Sequence, residues 1–384
     1  MLQFDWFLQG HEHRNDYIRF GLMKRHLAGE LVLRVHPLAE SAAFGFQPRG
    51  ESADFRHTSL FCVTRGQNRL RVFIDNEDGF THLCPLVEEV DLYFCCPYNR
   101  RFHVDRQFIE PYPWQTEEDV RWHREQAERV LHRFSAEQFR KILPLGPTIS
   151  ELTLRGAKTP GRLAQKLANA GDKVRRMVRK VAPSLCGEPW MSEYRRFAQR
   201  YDQMLSYRKL SLEKDVVSRE ALWRDGWPRH RVALHEQLHA LKGRWNIRGQ
   251  LTEADGWAEW SPAAKERLGK PMQLDRGFED EILSSRLPVF PTGAHWGWRG
   301  IVFLTLCAGS RCLIDRPMYE PYFSFDEFDC VYNPGDWSGI EPLLTATTDS
   351  EWLAARRRNQ AVFDRRMTPE AYTSYLIGEL NKRL

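Results

Sequence analysis

The sequence predicts an α/β protein of two Rossmann-like domains facing across a cleft. Three observations carry that expectation. Residues 4–35 read as strand, polar loop, helix and strand, the order with which a doubly wound sheet begins. Leu287 to Pro317 reads as strand, glycine-containing turn, helix and strand again. Between them, Leu143-Pro144-Leu145-Gly146-Pro147 looks like an exit from one unit, and a basic stretch follows. At roughly 150 residues per domain, a chain of 384 residues has room for two. The boundaries read as 1–150 for the first domain and 151–204 for a basic linker. A second domain takes 205–365, and a closing helix 366–384.

Each element has its own warrant. Phe4 to Leu8 is a short apolar run, followed by a polar loop with His11, Glu12 and His13. Tyr17 to Leu27 has helical spacing, with Asn15 or Asp16 as its cap. Leu31 to Val35, Leu70 to Ile74 and Val90 to Cys95 read as strands. Asp75, Asn76, Glu77, Asp78 and Gly79 follow the second of these, and put three carboxylates at a strand's carboxyl end. Such a cluster suits a general base or sugar hydroxyls; a turn capped by Asp and Asn is the plainer reading. Thr116 to Ile142 contains a long amphipathic helix rich in charge. Arg219 to Leu241 reads as helical, with Arg224, Arg229 and Arg231 near its start. Arg244 to Ile247 is a short strand, and 258–284 is mostly helical. Trp298 to Ala308 is an apolar helix, and Gly309 stands where a left-handed cap belongs. Cys312 to Ile314 and Phe328 to Tyr332 are strands, and three helices close the chain.

Composition narrows the function. Hydrophobic residues make up 42% of the chain, which supports packed cores. The formal charge of +5, from 56 basic and 51 acidic residues, is too mild to imply nucleic acid binding. The eight cysteines form no CxxC pair, as in a reducing compartment without disulfides or structural zinc. The amino terminus lacks the pattern of a signal peptide, and no stretch is apolar enough to span a bilayer. The expected location is therefore cytoplasmic. GxxxxGK[ST], GxGxxG and GxSxG are all absent, which argues against P-loop hydrolases, dinucleotide dehydrogenases and serine hydrolases of the elbow type. An HxH pair at residues 11 and 13 lacks a visible third ligand, so no metal is expected.

The polar corner of the second domain is the candidate site. Gly293, His295, Trp296 and Arg299 lie at a helix amino terminus, where N–H groups and the helix dipole favour phosphate. Asp315, Arg316, Tyr319 and Glu320 follow a strand at its carboxyl end, the edge where ligands bind in open sheets. Arg299, with Arg231 or Arg316, would neutralise a diphosphate leaving group.

The stretches WGWRGIVFLTLCAGSRCLIDRPMYEPYFSF and FDCVYNPGDW, with a final helix opening TPEAYTSYL, resemble the second domain of GT-B glycosyltransferases. They are most similar to exostosin-like and surface-polysaccharide enzymes, over roughly residues 205–384. The resemblance implies sugar transfer from a nucleotide-sugar donor to a glycan or lipid-linked acceptor, without an obligate metal or other cofactor. It places Arg299 on donor phosphate and Tyr319 and Glu320 near nucleotide or sugar. The paired glutamates of the commonest GT-B pattern are missing from the 298–309 helix. A single base from the first domain would fit inversion, with Asp75, Glu77 or Asp78 first and Asp16 or His11 in reserve. The basic run 162–180 suits an anionic bilayer, with a peripheral place on the inner face of the membrane, or equally a solvated linker helix. The alternatives are a scaffold with a degenerate transferase fold and a nucleic acid binder, though that run lacks the interleaved aromatics a stacking platform needs.

Overall fold

A computed structural model of the chain describes residues 1–8, 14–47, 57–149, 152, 188, 190–222, 227–252 and 278–384. His11, the basic run 162–180 and most of the helix expected over 258–284 lie outside the described residues.

Among the described residues the first half holds β1 (Leu2–Leu8), α1 (Asp16–Leu27), β2 (Leu31–Pro37), β3 (Thr58–Arg65), β4 (Asn68–Asp75) and β5 (Leu92–Cys95). After these come α2 (Arg100–His103), α3 (Glu117–Arg133), α4 (Ala136–Arg140) and β6 (Ile142–Pro144). The strands form one sheet in the order β2-β1-β3-β4-β5-β6. All pair in parallel except β3, which runs antiparallel to both β1 and β4. β3 has no alternating pattern because Thr58 to Val63 are all buried. It turns into β4 at Gly66, whose φ of 60° a glycine adopts without strain. The long amphipathic helix expected within 116–142 is α3, and α4 and β6 fill the rest of that stretch. Thr116 and Ser135 each build a capping box, so the chain restarts at Ser135 instead of continuing.

The second half holds α5 (Met191–Ser206), β7 (Lys214–Ala221), α6 (Pro228–Leu241), β8 (Ile247–Thr252), α7 (Phe278–Leu283), β9 (Ser285–Phe290) and α8 (Gly300–Ala308). It continues with β10 (Leu313–Ile314), β11 (Val331–Tyr332), α9 (Ile340–Ala346), α10 (Asp349–Arg366) and α11 (Pro369–Asn381). Its sheet is parallel throughout, in the order β11-β10-β9-β7-β8. The strand order reverses between β7 and β9, which is where open sheets bind ligands. The strand–turn–helix–strand unit read from the sequence is β9, α8 and β10, and Gly309 caps α8 in the left-handed conformation. The helix read over 219–241 starts later, at Pro228, because residues 214–221 are a strand.

The two halves share a core. Tyr17 of α1 meets Phe303 of α8 edge-on at 5.0 Å and Tyr372 of α11 at 5.9 Å. The last helix crosses back onto the first half. Tyr17 donates to the Met367 carbonyl at 2.8 Å, and Arg25 donates to the Thr373 hydroxyl at 2.9 Å. Gly21 is where the two helices touch: a Cβ there would collide with the Pro369 carbonyl and stand 2.7 Å from the Thr373 methyl. Gly21→Leu should therefore lift α11 off α1, at a cost of roughly 3 kcal/mol. Urea unfolding and proteolysis of the carboxyl terminus would report it; an unchanged midpoint would contradict the close crossing.

Candidate functional site

The carboxyl ends of the two sheets face each other. The loop after β4 meets the loop after β9, where Gly297 lies against the Asp78 carbonyl and Gly79 against His295. The loop after β5 meets the loop after β10. There the Glu320 N–H donates to the Tyr98 carbonyl at 2.6 Å, and the Arg100 N–H donates to the Glu320 carboxylate at 2.9 Å. Asn99 donates to the Met318 carbonyl in the same seam.

A cleft of about 440 Å³ opens beside this seam, within the range of small-molecule sites. Trp114, Thr116, Glu118 and Asp119 of the first half form one wall. The other wall is the start of α6, with Trp227, Arg229 and His230, and Gly335 beyond it. This is the carboxyl edge at the β7/β9 reversal. The N-cap residue Trp227 supplies no side-chain cap and the first turn of α6 carries no acidic residue, so the helix dipole there favours an anion. Arg229 is exposed and forms no hydrogen bond or ion pair among the described residues. Asp119 is occupied, since it accepts from the Thr116 N–H at 2.7 Å and from its hydroxyl at 2.8 Å.

Behind the wall lies a buried polar network. His230 shares its Nε2 with both oxygens of Asp315, at 3.0 and 2.9 Å. Asp315 also accepts from the Thr292 N–H and from Asn333 Nδ2, each at 2.8 Å. The Trp114 ring stacks on His230 at 3.8 Å, with 7° between planes. Trp337 packs on His230 at 4.7 Å and donates its indole N–H to the His230 carbonyl at 3.2 Å. Trp227, His295, Trp296 and Trp337 have φ between 54° and 62°. Side chains this bulky rarely adopt that region, and such strain gathers where a site is over-determined by its surroundings.

The sequence-derived donor corner is placed differently from expectation. Arg299 is not open to phosphate. Its Nη1 donates to Glu220 at 2.7 Å and to the Pro291 carbonyl at 3.3 Å, and its Nη2 donates to the Arg219 carbonyl at 3.2 Å. Arg231 is buried, 3.7 Å from the same Glu220, and donates to the Ala221 and Thr292 carbonyls; burial lowers its pKa to about 10. The space enclosed by Arg299, Trp298, Asp315 and Tyr319 is about 30 Å³, room for about one water. Trp296 is buried against Phe80, Trp227 and His123 and donates to Gln115. Tyr319 is buried against Trp298 and Phe325. Gly293 accepts the Trp227 indole N–H at 2.8 Å. Arg316 points to solvent, over Tyr332 and paired with Asp326 at 3.1 Å. Glu320 and His295 bond residues of the first half, and Asp315 is buried behind His230. His295 bonds His123 at 3.0 Å, and its ring lies 5.1 Å from that of His82.

The expected bases also fall elsewhere. Asp75 is buried, accepts from the Tyr93 hydroxyl and from the Glu77 N–H, and has no path to a substrate. Burial and the Glu77 charge push its pKa up to about 7. Glu77 accepts from the His57 N–H at 2.8 Å, and Asp78 pairs with Arg14 at 2.8 Å. Asp16 pairs with Arg19 at 2.7 Å inside the protein. None of the four lines the cleft. The residues that do include the Trp227–His230 turn, which a helix read from Arg219 obscures because it begins nine residues too early, within a strand. Pro228 was the available signal, since proline favours the first turn of a helix.

No protein-family model matches the chain, and no curated protein does, so the exostosin-like resemblance finds no support there. Solved structures match at low likeness. The OtsA apo structure is 10% identical, with a TM-score of 0.33 over 47% of this chain and 49% of that one. A spinosyn rhamnosyltransferase, SpnG, complexed with spinosyn aglycone, is 12% identical, with a TM-score of 0.27 over 44% and 46%. An α,α-trehalose 6-phosphate synthase from Burkholderia multivorans is 10% identical, with a TM-score of 0.38 over 79% and 69%. The chain spans about half the length of the first two. Likeness this shallow places the chain in no family. Among the described residues, no helix is long and apolar enough to cross a membrane.

Proposed function

We propose that the chain is a glycosyltransferase, moving a sugar from a nucleotide-sugar donor to the hydroxyl of a glycan or lipid-linked acceptor in surface polysaccharide or lipopolysaccharide synthesis. One observation supports this most: the 440 Å³ cleft lies where the carboxyl edges of two α/β sheets oppose each other. A cleft walled by both halves can bring donor and acceptor together, and orientation of two reactants is a large part of catalysis. Arg229 and the first turn of α6 supply positive potential for the donor phosphates, in place of Arg299. The anomeric carbon is inverted, no metal is required, and the 162–180 run holds the protein on an anionic bilayer.

Thermal shift with a panel of nucleotide sugars, followed by measurement of nucleotide release, tests the reading. At least one donor should raise the melting temperature and be turned over, with chelators present. A protein that neither binds nor turns over any donor would refute it. Arg229→Ala should raise the donor KM about tenfold while leaving the melting temperature unchanged. An unaltered KM would remove Arg229 from the phosphate site. The anomer of the product reports inversion, and sedimentation with anionic against neutral vesicles reports the membrane contact.

A further inference from the structure

We infer that His230, oriented by Asp315, is the group that takes the proton from the acceptor hydroxyl in this cleft. The inference rests on the transferase reading and names the base that reading lacks.

The argument starts from the ring. An imidazole that donates Nε2–H to a carboxylate is held in one tautomer, with its lone pair on Nδ1. His230 Nε2 lies 3.0 and 2.9 Å from the two Asp315 oxygens. Its Nδ1 makes no hydrogen bond among the described residues, and His230 lines the cleft. Trp114 covers one ring face, and Trp337 packs against the ring as well, so the plane is fixed. Asp315 is itself held by Thr292 N–H and Asn333. An orienting acid with two further donors on it, behind a base at a cleft wall, is the arrangement proton abstraction requires. The wall is completed across the seam: Trp114 belongs to the first half, His230 and Asp315 to the second. The charged groups around the dyad are Arg229, Glu118 and Asp119 along the cleft and Arg231 behind Asp315.

The step balances as follows. The acceptor oxygen forms a bond to the anomeric carbon as that carbon's bond to the phosphate oxygen breaks. The bonding pair leaves with the nucleotide phosphate. The hydroxyl proton passes to His230 Nδ1, and the imidazolium is stabilised by the Asp315 carboxylate until the proton goes to water. A carboxylate base is not needed, and none of those expected from the sequence lines the cleft.

The test uses the whole chain with a donor it turns over and a matched acceptor. His230→Gln should lower kcat by about 100-fold or more, with donor affinity retained by thermal shift. The pH–rate profile of His230→Gln should differ from that of the wild type. Added imidazole should restore part of the rate. Asp315→Asn, which removes the acceptor that fixes the tautomer, should also depress kcat more than it changes donor KM; it carries the test if His230→Gln does not fold. A His230→Gln enzyme with wild-type kcat and pH profile overturns the assignment alone. So does an Asp315→Asn enzyme with an unchanged kcat. A wild-type protein that turns over no donor overturns the transferase reading, and the assignment with it.

Discussion

Arg299→Ala is expected to destabilise the protein by about 3–5 kcal/mol, because it strips a buried carboxylate of its shortest ion pair. Glu220 lies on β7 with none of its side chain exposed, 2.7 Å from Arg299 and 3.7 Å from Arg231. A carboxylate taken out of water is costly unless it is paired, and Arg231, at the longer distance, is a poorer ion-pair partner than Arg299. Arg299 does more than neutralise charge. By donating to the Arg219 and Pro291 carbonyls it ties the end of β7 to the turn after β9, the two strands at the reversal of the sheet. Arg299→Lys should recover only part of the loss, since one ammonium cannot serve three acceptors at these angles. Removing all three charges with apolar residues, as in Arg299→Met and Arg231→Met with Glu220→Leu, should cost much less than Arg299→Ala. Urea unfolding of the four proteins ranks these costs. An Arg299→Ala protein with a wild-type midpoint and no transferase activity would instead support a phosphate contact and refute the structural role.

That arginine also shows where sequence reading stops. From the sequence, Arg299 and Arg231 are cations near a helix start, and a phosphate is a reasonable partner. Their actual partner, Glu220, lies 79 residues away from one and 11 from the other, on a strand the pattern disguised. Val216, Val217 and Ser218 are buried together, and buried Glu220 follows them, which resembles the charge spacing of a helix edge. The two arginines help make that glutamate tolerable inside a sheet. Helix-like spacing from Arg219 overlaps the end of β7 and hides the start of α6 at Pro228, and with it the wall of the cleft. By contrast β9, α8 and β10 were legible. Their apolar runs are long, their breakers are Pro291 and Gly309, and no distant residue is needed to explain them. The opposition of the two carboxyl edges followed from topology. The position of the open space along that seam did not, because it depends on how six tryptophans fill the rest.

Acid should weaken the protein well before it denatures ordinary carboxylate pairs. Burial lowers the pKa of His82 to about 4 and that of His123 to about 3, and the neighbouring imidazoles add to both shifts. Burial does the same to His103, at about 4, and His235, at about 3. Each is neutral when folded but takes a proton near pH 6.5 when unfolded. The unfolded chain therefore binds more protons between pH 6.5 and 4, and stability falls as pH falls through that window. Asp75 acts in the opposite sense. With its pKa raised to about 7, it favours the folded state most below the normal carboxylate range and loses that contribution as pH rises through 7. Four histidines outweigh one aspartate, so the net loss from pH 6.5 to 4.5 should be roughly 3–6 kcal/mol. His82 and His123 face His295 across the seam between the halves, with Asp78 and Arg14 beside them, so part of the loss should appear as separation of the halves. Unfolding free energies measured across this range, with His123→Phe for comparison, decide the matter. The variant should show a shallower dependence, because its side chain takes no proton in either state. A stability that is flat or rises toward pH 4.5 would mean that these imidazoles are hydrated rather than packed at the seam, and the cleft walls would then not be held as described.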